Sequence, residues 1–174
     1  METSPQKMTR KAPPLDPTDA HQAREKCLRL LTTRPRSRRE LQQALRRRGF
    51  DQHVIAEVIA GLEQAGLIND EEFARAWVAS RLASGAGRRK LHWELRQKGV
   101  PEPIIQDTLA HRADEGAELN QALALAQRRL RGEPDAKELA RLQRLLLGRG
   151  YEFDTVNAVL RSLAIASDGE TPQE

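Results

Sequence analysis

Arginine is the residue type best placed to do chemistry in this chain. Arg34, Arg36, Arg38 and Arg39 run close together, and Arg46, Arg47 and Arg48 follow with Glu40 as the only acid between the groups. Further on, Arg88, Arg89, Lys90, Arg96 and Lys98 repeat the arrangement around one acid, Glu94. A third set, Arg128, Arg129, Arg131, Arg141, Arg144 and Arg149, is broken up by Glu133, Asp135 and Glu138. A guanidinium fork matches phosphate oxygens, so such clusters suit a polyanion. The helix dipole explains cations at helix C-terminal ends, as for Arg48, Lys98 and Arg149. It does not explain Arg36, Arg38, Arg39, Arg88 and Arg89, which precede or open helices where a cation is mildly unfavourable. These are expected to face an anionic partner.

Other chemistries find little support. His21, His53, His92 and His111 are far apart, and Cys27 is the one cysteine, so neither a metal site nor an internal disulfide is expected. Cys27 falls on the apolar face of a helix and reads as a packing residue. Asp70, Glu71 and Glu72 occupy a helix's first turn, where they complement the dipole. The segment from Ser84 to Lys90 resembles a phosphate loop, but it lacks the required spacing and a preceding strand. It is read as a flexible joint whose Arg88, Arg89 and Lys90 open the next helix. No catalytic constellation and no cofactor is expected. The start lacks a signal-peptide core, and no apolar run is long enough for a membrane span. A cytoplasmic protein is therefore expected.

The elements that position these side chains repeat. The segment from Ser37 overlies that from Gly87 at an offset of 50 residues, matching Leu41 with Leu91, Leu45 with Leu95, Gly49 with Gly99 and Ile55 with Ile105. At an offset of 51, Leu142, Leu146, Gly150 and Val156 continue the series. Such periodicity signals a repeat architecture. Each copy reads as helix, Gly turn, helix, with a further helix before it near residues 23–33, 70–83 and 116–131. Ser37 and Glu40 form a capping box. Asn69 can cap its helix, and Asp51 and Asp154 can cap theirs. Phe73, Trp77, Leu91 and Leu95 are expected in the core. Each unit has little apolar surface, so neighbours are expected to pack together.

Composition agrees. Aromatic residues make up 3% of 174 residues and the net charge is +4. Leu, Ala, Arg, Gln and Glu dominate, which favours helix over strand. The expected fold is all-α: an elongated, curved array of three tandem three-helix repeats over residues 18–68, 69–113 and 114–165, with flexible tails at 1–17 and 166–174. The paired helices fit a helix-turn-helix motif only loosely. The helix after Gly49 presents Asp51, Gln52, His53 and Glu57, which suits capping better than base reading. No exposed aromatic is expected for base stacking.

One stretch carries a family likeness. Gly66, Leu67, Asn69, Asp70, Phe73, Ala74, Trp77, Arg81, Gly87, Lys90, Leu91, Leu95, Lys98, Gly99 and Val100 stand in an order and spacing that resembles the signature of the RecX family. The resemblance implies crescent-shaped arrays of three three-helix repeats without enzymatic activity. It implies lodging in the groove of the RecA–DNA filament, where such proteins restrain filament extension, ATP hydrolysis, strand exchange and SOS co-protease activity, and so act in DNA repair and homologous recombination. RecA is then the expected partner, with weaker contact to single- and double-stranded DNA, and a monomer is expected. The alternative is a stand-alone basic protein holding the DNA phosphate backbone without sequence specificity. The residues expected to meet RecA or DNA are Arg38, Arg39, Arg46, Arg47, Arg81, Arg88, Arg89, Lys90, Arg96, Lys98, Arg141 and Arg144.

Overall fold

The computed structural model describes residues 15–110 and 115–168, all helix or connecting turn. The first repeat holds α1 (Ala20–Leu31), α2 (Arg38–Arg48) and α3 (Gln52–Gln64). The second holds α4 (Asp70–Ala83), α5 (Arg88–Lys98) and α6 (Glu102–Ala110), and the third α7 (Glu115–Arg129), α8 (Ala136–Arg149) and α9 (Phe153–Asp168).

Local chemistry sets the helix ends. The Ser37 hydroxyl accepts from the Glu40 amide while the Glu40 carboxylate accepts from the Ser37 amide, so the capping box forms. Asn69 caps α4 by accepting from the amides of Glu71 and Glu72. Gly49, Gly99 and Gly150 close α2, α5 and α8 with φ of 96°, 76° and 86°. Only glycine takes that left-handed turn cheaply. Two capping expectations fail. Asp51 precedes α3 but makes no side-chain cap, and Asp154 lies inside the first turn of α9.

The amide of Asp51 instead donates to the carbonyl of Pro17, and Leu15 packs on the first core. Residues 15–17, assigned by sequence to a tail, are thus docked; residues 1–14 lie outside the described part. At the other end α9 runs on to Asp168, past the expected start of a second tail, whose residues 169–174 are outside the described part.

Each repeat closes its own core. Ala23, Cys27, Leu41, Leu45, Ile55, Ile59 and Leu62 fill the first. Phe73, Ala74, Val78, Leu91, Leu95, Ile105 and Leu109 fill the second. Ala122, Ala126, Leu142, Leu146, Tyr151, Val156 and Val159 fill the third. The repeat-equivalent leucines of α2, α5 and α8 sit at the centre of each. Neighbouring repeats do pack together, but the three cores are separate clusters; the joints between them rest mainly on hydrogen bonds and ion pairs, with Leu125 of the third repeat against Gly85 of the second. Cys27 is wholly buried, and burial pushes its thiol up to about 11, which suits packing and not reaction. Trp77 is half-buried at the edge of the second core, stacked on Phe73 at 5.9 Å between ring centroids.

Candidate polyanion interface

The middle helices of the repeats meet end to end. At the first joint, the start of α2 abuts the end of α5: the Ser37 hydroxyl donates to the Lys98 carbonyl at 2.6 Å. At the second, the start of α5 abuts the end of α8: the Gly87 amide donates to the Arg149 carbonyl at 2.8 Å and the Arg89 amide to the Gly150 carbonyl at 3.0 Å. Ser37 and Gly87 are repeat-equivalent, as are Lys98 and Arg149. One hydrogen bond therefore recurs with a hydroxyl donor in one joint and an amide donor in the other. A second element recurs too. Asp70, from α4, accepts from the Arg38 amide at 2.9 Å, and Glu118, from α7, accepts from the Arg88 amide at 3.1 Å. Each joint thus lends a carboxylate to the helix start of the preceding repeat. Together α8, α5 and α2 make about 50 Å of helix.

This arrangement overturns part of the sequence argument. The cations opening α2 and α5 do not face bare helix N-termini, because the carbonyl end of another helix lies against them, and that end favours positive charge. A methyl group on Gly99 would fall 2.0 Å from Cδ of Arg39, and one on Gly150 would fall 2.5 Å from Cβ of Lys90. Arg39 and Lys90 therefore lay their stems across the joints. Arg38 sits 3.4 Å from Glu63. Arg88 is half-buried, lines a pocket with Val78, Leu82, Leu91 and Glu118, and approaches the Leu109 carbonyl at 3.5 Å.

Three more residues of the expected set are tied to carboxylates within the fold. Arg81 is clamped bidentately to Glu94, with Nε 2.8 Å from Oε2. Trp77 Nε1 donates to the same carboxylate at 2.9 Å. Burial pushes the Glu94 carboxyl up, but the bonds from Arg81 and Trp77 outweigh it and hold the group below its ordinary range. Lys98 places Nζ 4.7 Å from the Trp77 ring centroid and 2.8 Å from Glu40 of the first repeat. Glu40 also takes Arg34 at 2.9 Å. Burial raises this carboxyl too, yet Arg34 and Lys98 together bring it down to about 2. The chain of contacts from Arg81 to Arg34 crosses the first joint and locks it. Arg141 is likewise held by Glu138, with Nε 2.7 Å from Oε2.

Other residues of the expected set face outward. Arg46 is exposed and, among the described residues, reaches only Gln52, at 3.2 Å. Arg39, Arg47, Arg89, Arg96 and Arg144 are exposed, and their guanidinium groups make no hydrogen bond or ion pair with the described residues. Helical spacing sorts them. Arg39, Gln42, Gln43 and Arg46 share one face of α2, and the equivalent positions on α5 are Arg89, His92, Trp93 and Arg96. On α8 the series becomes Ala140, Gln143, Arg144 and Leu147, so the row loses charge in the third repeat. The joints carry matching grooves: Arg38, Arg39 and Gln42 line the first with Gly99 and Pro101, and Arg88, Arg89 and His92 line the second with Glu152.

Trp93 was not expected here. It is 60% exposed, which overturns the expectation that no aromatic is free for stacking. The repeat alignment held the signal: Trp93 stands where the other copies have Gln43 and Arg144, at a position outside the core in each. Among the described residues no cluster of histidine, cysteine or carboxylate could hold a metal ion, and no helix is long and apolar enough to cross a membrane.

Comparison with known proteins agrees with the repeat boundaries seen in the cores. Residues 23–62, 69–109 and 117–160 match the models of the first, second and third three-helix domains of RecX. A regulatory protein RecX from Mycobacterium sp. (strain JLS) is 44% identical over 147 residues, covering 80% of each chain. That of Streptomyces coelicolor is 41% identical over 172 residues, covering 97% of this chain and 89% of its own. The crystal structure of RecX from Lactobacillus salivarius superposes with a TM-score of 0.74 at 24% identity, over 84% of this chain and 97% of that one, and so shares the fold.

Proposed function

This chain belongs to the RecX family of regulatory proteins, and from that premise we propose that it modulates the RecA recombinase by binding, without chemistry of its own. It acts as a cytoplasmic monomer that lies in the groove of the RecA–DNA filament and restrains filament extension, ATP hydrolysis, strand exchange and co-protease activity. The observation that carries this reading is the recurrence of one outward arginine row, Arg39 to Arg46 and Arg89 to Arg96, on helices joined end to end. A repeating partner is met best by a repeating surface, and an anionic one by unpaired guanidinium groups. Arg38, Arg81, Lys98 and Arg141 are tied to carboxylates, Arg88 lines a pocket and Lys90 packs on Gly150, so the proposed contact set narrows to Arg39, Arg46, Arg47, Arg89, Arg96 and Arg144.

The test is the DNA-dependent ATPase of RecA with substoichiometric amounts of this protein. Hydrolysis is expected to fall and filaments to shorten. The triple variant Arg46→Gln, Arg89→Gln, Arg96→Gln, at exposed side chains clear of the first joint, should lose most of that effect while melting near the wild-type temperature. Full hydrolysis and unchanged filament length in the presence of folded wild-type protein would refute the proposal.

A further inference from the structure

The two tryptophans have opposite fates. Trp77 is committed to the fold through Phe73, Glu94 and Lys98. Trp93 contributes to none of the three cores and leaves 60% of its surface to solvent. A large aromatic normally gains by burial, and polar residues occupy the equivalent outward positions of the other repeats, so folding does not require a ring here. Its surroundings suggest what the ring meets. Arg89 lies one turn before it on α5 and Arg96 just under one turn after, and both guanidinium groups are without a hydrogen-bonded partner among the described residues.

Acids near this face are few. Glu102 is bonded to His92 at 2.8 Å and to Gln106, with Arg96 near enough to act on its charge. Glu94 is buried on the other side of α5 against Arg81 and Trp77. Glu152 lines the joint groove with Arg89. The result is an exposed π-surface between two guanidinium groups that make no hydrogen bond or ion pair among the described residues. An unpaired nucleotide has the matching parts: a flat base to stack and phosphates spaced along its strand. A duplex offers phosphates and groove edges but no free base face, because its bases are already stacked on each other.

We propose that Trp93, flanked by Arg89 and Arg96, is a stacking site for an unpaired nucleobase, so that this protein holds single-stranded nucleic acid by base as well as by phosphate. The platform belongs to the protein itself and needs no recombinase beside it. A ring at this position of the middle helix occurs in the second repeat alone, since Gln43 and Arg144 stand there in the others; the exposed ring of Phe153 lies elsewhere, at the start of α9, without the flanking arginine pair.

The experiment compares a labelled oligothymidylate with an abasic deoxyribose-phosphate strand of the same length and charge, by fluorescence anisotropy with full-length protein at fixed salt. Wild type should bind the thymidylate roughly 5- to 150-fold more tightly, the range that one stacked base supplies. Trp93→Gln, which installs the residue type found at Gln43, should bind both strands with the abasic affinity and an unchanged salt slope. Trp93→Phe should keep most of the preference. A wild-type protein that treats the strands alike, or binds neither, overturns the proposal. So does a Trp93→Gln protein that keeps the preference. If that variant binds thymidylate normally yet no longer restrains a recombinase filament, the ring meets protein instead. No RecA is present in the binding measurement, so its failure is separable from failure of the proposed function.

Discussion

Gly87→Ala should open the joint between the second and third repeats while leaving the repeats folded. Gly87 has φ of −82° and ψ of 167°, a conformation open to any residue, so alanine brings no backbone strain there. The obstacle is contact. An added methyl would lie 2.4 Å from the Tyr151 amide nitrogen, 2.5 Å from the Gly150 carbonyl carbon and 2.6 Å from its oxygen. All three are backbone atoms and cannot swing aside. The joint must separate, and with it go the bonds from the Gly87 and Arg89 amides to the end of α8, the bond from the Arg88 amide to Glu118 and the bond from Arg149 to the Ser84 carbonyl. At about 1 kcal/mol net for each bond, the closed joint loses roughly 3–4 kcal/mol. Hydrogen exchange reads this directly. Protection of the Gly87 and Arg89 amides should fall about 150- to 900-fold, while amides at Leu95 and Leu146, inside separate cores, keep theirs. Small-angle scattering should show a larger radius of gyration. Unchanged protection at Gly87 and Arg89 would refute the reasoning. Equal loss at the core amides would show that the joint and the cores are one cooperative unit.

The other expectations concern the first joint, the interface and the thiol. Ser37→Ala removes both the α2 cap and the bond to the Lys98 carbonyl, and should lower stability by about 1.5–3 kcal/mol in urea titration. Glu40 has its folded value lowered from 4.5 to about 2; because the folded carboxyl is the stronger acid, its contribution is complete above pH 4.5 and is lost as pH falls toward 2. The full shift would correspond to about 3 kcal/mol, which solvent screening of this partly exposed pair reduces to about 1–2 kcal/mol, and melting curves of Glu40→Gln should show a flatter acid limb than wild type. Arg81→Ala should destabilise by about 1–3 kcal/mol, since it leaves the Glu94 carboxylate buried and short of a partner. Arg96→Ala should melt like wild type and lose only nucleic-acid affinity; equal melting of the two variants would contradict the division between tied and free arginines. Cys27 should react with a disulfide reagent only on unfolding, and a fast reaction in native buffer would show that α1 opens readily.

The repeat itself was legible in the chain. Leucines at matched offsets, glycines after each middle helix and a hydroxyl before α2 are short-range signals, because caps and amphipathic faces depend on residues three or four apart. So were the helix of Phe73 and Trp77 and the packing role of Cys27. The likeness to RecX rests on the same local order.

The fate of each cation could be decided only in three dimensions. Arg81 and Arg96 look alike in sequence, but one finds Glu94 on a neighbouring helix and the other finds solvent. Lys98 looks like a helix-end cation until Glu40, 58 residues earlier, closes on it. Arg38 and Arg39 look misplaced at a helix start until the end of α5 arrives there from the next repeat. An ion pair or a joint depends on which helix ends meet, and separation along the chain carries no record of that meeting. The sequence determined three self-contained helical units; their end-to-end docking determined which arginines hold the array together and which remain free to bind.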